Sequence, residues 1–371
     1  MKPRVRWRYL ATSPKLAWDV MVRGRYAFDF DLMPFVCRDM PLRKRLNLLR
    51  AGLNLLYRRG SPWSWPVHMQ LELTSFCDLT CPVCPTGTGE LRRRPEAMDP
   101  ELVEALMEEV GPYLLTASLW GWGEPLLHPR LGDILATVRG KNVLPILSTN
   151  GQRLAEEDVL DALIREPPAN LIVALDGLSD ETLSAYRPGA RLEPALTGVR
   201  RLAEMKKERS QQWPVLHMRF IALKQNEHEV PRVEEFAARH GFEMVSIRGL
   251  SVIDADEGPH RAMVPGSDEL RSYRYEEGGR VGRDGFICQF ASLFPAVFAD
   301  GTVVACDQDY NASHAYGRLG KDGSFADIWF GRRAAEVRGT VRDSPERFSF
   351  CANCPYAGLP RNTCSIRLTK L

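Results

Sequence analysis

The sequence has no run of eighteen apolar residues, and its N-terminus, MKPRVRWRYLATSPKLAWDV, has none of the apolar stretch that opens a secreted chain. Neither a membrane span nor a secretory signal is expected, and the cytoplasm is the expected location. Cysteine is absent between Cys84 and Cys288, and the three cysteines at 77, 81 and 84 have no fourth nearby. In a chain that is not secreted, nine cysteines point to metal or redox chemistry rather than to a disulfide framework. Charge of one sign is also missing: the net charge is only +2 over 371 residues, with 26% charged and 44% hydrophobic. That is the composition of a globular protein of two or three domains, and no nucleic-acid partner is expected.

What is present between the two cysteine groups is alternation. Strand-like runs stand at 68–74, 115–121, 143–149, 170–176, 215–223 and 243–249. Amphipathic helical patterns separate them, beginning with DPELVEALMEEV, where Asp99 is the expected N-cap and Pro100 the first helical residue. Six strand-then-helix units predict a parallel sheet, open or closed like a barrel. The strands are short and mostly apolar, as strands covered on both faces should be. Chemistry in such folds gathers where the strands end. Those ends read CDLTCPVC after the first strand, GWGEP after the second, STNG after the third, ALDG after the fourth and LKQNEHE after the fifth.

A C-x3-C-x2-C loop after the first strand and a G-E-P turn after the second resemble the radical S-adenosylmethionine (SAM) superfamily, over roughly residues 67–250. The resemblance implies a partial (β/α)6 TIM-like barrel. It also accounts for the missing fourth cysteine. Cys77, Cys81 and Cys84 would hold three irons of a [4Fe–4S] cluster, leaving the fourth iron to SAM. Reduced SAM in this superfamily yields a 5′-deoxyadenosyl radical that abstracts a substrate hydrogen, with the electron coming from a donor such as flavodoxin or ferredoxin. Carried over residue by residue, Val83 would pack near the adenine, and Gly123, Glu124 and Pro125 would form the turn that meets the SAM amino group. Ser148 and Asn150 of STNG would lie on the ribose side. Arg187 and Asn226 would stand where related enzymes put cofactor-facing polar groups. Ala174 departs from the family pattern, which often has serine there. Read from residues alone, the three cysteines could instead be part of a zinc site, and GWGEP and STNG could be plain turns.

The second cysteine group closes the chain. The ADG of CQFASLFPAVFADGTVVACDQDY, between alternating apolar runs, predicts a β-hairpin flanked by Cys288 and Cys306. One amphipathic helix is expected after it, then the C-x2-C of Cys351 and Cys354. Four thiols suffice for one fully ligated [4Fe–4S] cluster, while a zinc ribbon is the alternative. With the G-x4-C at Gly301–Cys306 and the LG…DIW at Leu319, Gly320, Asp327, Ile328 and Trp329, this part is similar to the SPASM/twitch extension of radical SAM enzymes. The cysteine spacing is similar to that of the twitch-type alcohol dehydrogenase of butirosin biosynthesis, which implies a single auxiliary [4Fe–4S] cluster that accepts a second electron. Cys364 would be a free thiol or an alternate ligand. Asp307 matches the acidic residue that serves as base in sulfatase-maturating relatives, with Asp309 and Tyr310 as alternatives; each could equally be a solvated loop residue.

The first 66 residues match neither part. They carry fourteen Lys and Arg against four Asp, a net +10, so the remainder of the chain is −8. Leu42, Leu46, Leu49, Leu53 and Leu56 repeat at helical spacing. The expected arrangement is a helix packed on the barrel with its basic face in water; the alternative is peripheral contact of residues 42–59 with an anionic membrane. Cys37 is expected to be a buried small hydrophobe. The domain reading is thus a basic, helical extension over 1–66, a radical SAM core over 67–255, a linker over 256–284, and an auxiliary-cluster domain with a β-hairpin and helix over 285–371. Peptide-modifying relatives often carry a leader-binding winged helix with a three-stranded sheet, and no hairpin pattern is read in the extension. No cobalamin-binding domain is expected. The expected activity is oxidation of a small molecule such as a sugar, cyclitol or lipid head group. The alternatives are a maturase that oxidises or cross-links a peptide or protein side chain, and a redox-neutral epimerase.

Overall fold

Six parallel strands form the centre of the molecule in chain order: β3 (His68–Leu71), β4 (Thr116–Ser118), β5 (Leu144–Thr149), β6 (Asn170–Ala174), β7 (Val215–Ala222) and β8 (Met244–Gly249). The computed structural model describes residues 7–30, 33–57, 60–251, 258–276, 279–283, 285–358 and 364–367. Every strand read from the sequence is present, shortened by one to four residues. Between them run α3 (Pro100–Val110), α4 (Leu131–Gly140), α5 (Glu157–Arg165), α6 (Asp180–Tyr186), α7 (Leu192–Glu208) and α8 (Val233–Arg239). Asp99 caps α3 as expected, its carboxylate accepting from Glu101 N at 3.0 Å. Helix α6, which the sequence reading omits, starts on a capping box between Ser179 and Thr182.

Alternation along the strands sorts their side chains to two faces. Leu147, Leu171, Val173, Leu216, Met218 and Val245 face the helices and merge with Val103, Leu135, Leu160, Leu163, Val199 and Leu202 into the main core. Their neighbours face the barrel interior, and at the N-terminal ends of the strands that interior is filled from outside the barrel. An antiparallel hairpin of β1 (Tyr26–Phe30) and β2 (Met33–Cys37) inserts Met33 and Phe35 against Ile146, Ala169, Ile172 and Met244. Met33 is 2% exposed and Phe35 8%, a burial that stabilises by roughly 1.5–3 kcal/mol for each side chain. This hairpin corrects the all-helical reading of the extension. Cys37 is half-buried beside Val20, Met40 and Leu115, and burial pushes its thiol up to about 11.

Helix α1 (Trp7–Met21) precedes the hairpin and α2 (Leu42–Tyr57) follows it. The orientation of α2 is the second correction. Its buried residues are Lys44, Asn47, Ala51 and Asn54, while Leu42, Leu46, Leu49, Leu53 and Leu56 are exposed. The cause is the surface it covers, the loops entering β3, β4 and β5, which offers backbone groups that need partners. Lys44 Nζ donates to Asn142 O at 2.5 Å and Lys141 O at 3.3 Å. Asn47 donates to Trp65 O at 3.2 Å and accepts from Trp65 N at 2.9 Å. Asn54 donates to Ser64 Oγ at 2.6 Å and accepts from Trp63 N at 2.8 Å.

The C-terminal part is continuous with the barrel sheet rather than a separate layer. A small antiparallel pair, β9 (Tyr275–Glu276) and β10 (Gly279–Arg280), lies between the two. The expected hairpin is β11 (Ala296–Val297) and β12 (Thr302–Val304), turning through Gly301 at φ +83°. Strand β11 pairs in parallel with β3, Ala296 opposite Gln70, and β12 carries β13 (Gly317–Arg318). At the other edge β14 (Cys364–Arg367) pairs antiparallel with β8. The result is one ten-stranded sheet. The single helix expected after the hairpin is two, Phe325–Trp329 and Arg332–Asp343. They break at Gly331, where a Cβ would lie 2.4 Å from Asp327 O.

Candidate active site

At the C-terminal ends of β3–β8 the strands open into a cavity of about 730 Å³. Cys77, Cys81 and Cys84 line it, together with Val83, Gly123, Glu124, Ser148, Asn150, Ala174, Arg187, Arg219 and Arg248. Nine of the residues assigned by resemblance to this end, the three cysteines and six of the SAM-site residues, therefore share the cavity with Ala174, the position that departs from the family pattern. Pro125 is buried at the start of a short 3-10 turn behind it. Asn226 is fully buried and does not line the cavity. Its side chain accepts from Leu223 N at 2.7 Å and donates to Asp176 O at 2.9 Å and Ile221 O at 3.0 Å. It is a clamp on the loop after β7.

Short-range contacts shape the cysteine loop. A Cβ on Gly123 would lie 2.2 Å from Thr74 O and 2.6 Å from Phe76 O, so the G-E-P turn packs backbone to backbone on the segment entering the loop. Glu124, after β4, ties its own strand end to those of β3 and β5, and its backbone O accepts from Thr74 Oγ1 at 2.8 Å. Its carboxylate accepts from Thr149 Oγ1 at 2.6 Å, Asn150 N at 2.8 Å and Leu126 N at 3.0 Å. Burial pushes its pKa up to about 7, against the pull of those donors. Asn150 in turn donates to Asp78 Oδ1 at 2.7 Å, beside Cys77. Arg187 forms a 2.6 Å ion pair with the fully buried Asp176. Burial pushes the Cys77 thiol up to about 12, and burial also raises Cys81, opposed by the charge of Arg187. On the far wall Arg219 is drawn down to about 9 by burial and by the neighbouring Arg248.

The second thiol group forms where the sequence reading places it. Cys288, Cys306, Cys351 and Cys354 line one small apolar cavity with Phe290, Ala291, Ala305, Val341, Phe350 and Tyr356. Burial raises the pKa of all four, and the charge of neighbouring thiols raises Cys288, Cys306 and Cys351 further. Cys364 begins β14, whose backbone pairs with β8 at the other edge of the sheet.

Among the described residues no three His, Cys, Asp or Glu side chains close by themselves into a metal cage. The donor chemistry nevertheless fits thiolate-held clusters. Each thiol group lines one cavity, and backbone N–H groups are aimed at sulfur: Leu79 at Cys77, Phe290 and Ala291 at Cys288, Gln308 at Cys306, and Tyr356 and Ala357 at Cys354. Such hydrogen bonds stabilise thiolate charge and set cluster potential.

The sequence reading missed the device that joins the two groups. Glu72 on the barrel wall is buried and binds Arg93 through both oxygens, at 2.6 and 2.7 Å. Arg93 also donates to Tyr310 O at 2.6 Å and lies 3.8 Å over the Phe298 ring. Glu72 accepts from Ala299 N at 3.1 Å, and the Trp122 indole donates to Asp307 O at 2.8 Å. The signal was a lone carboxylate inside the apolar run HMQLELT. Asp307 is half-buried between Gln70 and Cys306, and burial raises its carboxyl pKa; it does not line the larger cavity. Asp309 does, but its oxygens accept from Ser313 N and His314 N, both at 2.8 Å, so it builds the loop. Tyr310 also lines the cavity, and its hydroxyl donates to Glu90 at 3.1 Å.

Comparison with known proteins agrees with this arrangement. Residues 71–237 match the family model of the radical SAM superfamily, and residues 288–355 that of the SPASM iron–sulfur cluster-binding domain. The chain is 22% identical over 322 residues to the mycofactocin maturase MftC of Mycolicibacterium smegmatis, covering 81% of this chain and 78% of that protein. It is 25% identical over 207 residues to the PqqA peptide cyclase of Gluconobacter oxydans, a match spanning 55% of each, about half the length of that relative. Streptococcus suis SuiB, in its structure bound to the precursor peptide SuiA, has the same fold, with a TM-score of 0.61 at 13% identity over 96% of this chain and 84% of that one. On these matches, the parallel barrel and its two thiol groups, the chain belongs to the radical SAM superfamily and carries a C-terminal SPASM iron–sulfur domain.

Proposed function

We propose that this radical SAM enzyme is a maturase that oxidises or cross-links a side chain of a peptide or protein. The observation that carries the reading is the similarity, over about four-fifths of the chain, to MftC, with PqqA peptide cyclase as further support. It favours the peptide alternative over the small-molecule substrate expected from the sequence. The cavity of about 730 Å³ lies in the upper part of the range for ligand sites and has room for a side chain with its flanking backbone. The N-terminal hairpin also removes one argument against a peptide, although its two strands are spent on plugging the barrel.

When bound, SAM and the clusters supply the power to abstract a substrate hydrogen and to accept the second electron. The chain supplies the rest. Cys77, Cys81 and Cys84 would hold the SAM-binding cluster, and Cys288, Cys306, Cys351 and Cys354 the auxiliary one. Gly123, Glu124, Ser148, Asn150 and Arg187 would shape the SAM site, with Val83 against the adenine. The Glu72–Arg93 pair fixes the two halves relative to one another, because Arg93 donates to Tyr310 O and Glu72 accepts from Ala299 N. Asp307 is the proposed base for the proton lost on oxidation, on its match to the acidic residue of sulfatase-maturating relatives, and it stands beside Cys306 rather than on the wall of the larger cavity.

Two measurements test this. Anaerobically reconstituted protein should hold roughly eight irons, falling to roughly four in Cys351→Ala/Cys354→Ala, at four per cluster. Co-production with short peptides encoded beside the gene should yield a peptide lighter by one hydrogen pair, seen by mass spectrometry and lost in Cys77→Ala. If SAM is cleaved while every such peptide keeps its mass and a sugar or cyclitol in the same extract is oxidised, the maturase reading fails.

A further inference from the structure

The leucine stripe of α2 has no part in the function above. Leu42, Leu46, Leu49, Leu53 and Leu56 recur every three or four residues, and their exposure runs from 36% at Leu49 to 60% at Leu42. The helix cannot roll over to bury them, because its opposite face is held to the barrel through Lys44, Asn47 and Asn54. At 100° per residue, the exposed Arg43 and Arg50 flank the stripe on one side. At its C-terminal end the Tyr57 and Trp63 rings meet edge-on at 5.7 Å, and both are exposed. The stripe also belongs to a segment of net +10, in a chain whose remainder is −8.

We propose that α2 lies in the headgroup layer of an anionic phospholipid bilayer. An apolar helix face with arginine at its edge and aromatic rings at its end is the arrangement that buries leucine among acyl chains and leaves cations at the phosphates. A second copy of the chain would bring one +10 segment against another, whereas an anionic bilayer is complementary to it. Placement adds a functional consequence. Lys44 and Asn47 hold α2 to the loops entering β3, β4 and β5, while the cavity opens where those strands end. Docking therefore turns the cavity away from the bilayer. The membrane would localise the enzyme, and the substrate would reach the site from the aqueous side. This inference does not depend on the identity of that substrate.

The test is flotation of the full-length, iron-loaded protein with vesicles of phosphatidylcholine alone or with roughly one-third phosphatidylglycerol. The wild type should float with the anionic vesicles only, and high salt should release it. Leu46→Glu/Leu53→Glu should abolish flotation while keeping iron content and melting midpoint, since both side chains are exposed. Arg43→Gln/Arg50→Gln should weaken partitioning roughly thirtyfold. Absence of the wild type from anionic vesicles overturns the proposal, as does a Leu46→Glu/Leu53→Glu protein that floats like the wild type. A dimer that light scattering shows split by the glutamates, with no protein on vesicles, would make the stripe a contact between copies and would also overturn it.

Discussion

At one end of the barrel the interior is packed solid, and at the other it is open. Where β3–β8 begin, Met33 and Phe35 fill the space between Ile146, Ile172 and Met244, and α2 closes the outside. Where the same strands end, Ser148, Ala174, Arg219 and Arg248 face a cavity of about 730 Å³. Between the two lies a polar layer. His68 bonds Thr116 at 2.7 Å and Ser118 at 3.2 Å, and His217 bonds Ser246 at 2.7 Å. Burial pushes both imidazoles down to about 3, so they sit there neutral. The contrast shows how one set of strands serves two needs. An extension from outside the βα repeat closes one end, and the other end is free to stay polar and open for chemistry.

Changes at either end should separate these roles. The largest effect is expected at the open end. Cys77→Ala should abolish SAM cleavage and lower iron by roughly four per chain, with the circular dichroism spectrum unchanged. Unfolding of that variant would mean the open end also carries the fold. At the closed end, Met33→Ala or Phe35→Ala should cost about 2–5 kcal/mol, read as a shifted urea midpoint, while iron content at 25 °C is kept. A variant that keeps the midpoint but loses iron would erase the distinction. The smallest effect concerns Lys44, which burial draws down to about 8 from 10.5. Between those values the unfolded chain holds a proton that the folded chain has released, so folding stability rises with pH across that window. Lys44→Met should flatten the rise, measured as urea midpoints at the two ends of the window. An unchanged slope would place the titration elsewhere.

The barrel was readable because each strand and helix carries its own periodicity, and the cysteine loop, GWGEP and STNG because each is a local motif at a strand end. The β1–β2 hairpin was not. The sequence between its two strands reads Asp-Leu, without the Gly or Asn that marks tight hairpins, and Pro34 sits inside a strand. Periodicity identified the leucine face of α2 but could not say which way it turns. That was decided by backbone groups at Trp65, Lys141 and Asn142 that only polar side chains satisfy. The site divides in the same way. Seven of the eight residues assigned to the SAM site lie at the cavity or directly behind it, whereas Asn226 holds its own loop.

The sequence by itself determined the six βα units, the three-thiol loop and the four-thiol set, since these rest on spacings within one turn, one loop or one hairpin. Tertiary structure alone decided that β11 joins β3 in a single sheet, that Glu72 and Arg93 bind the Asp307 loop to the barrel, and that the leucines of α2 face outward. Those outcomes depend on which buried polar groups find partners far along the chain, and no local pattern encodes that.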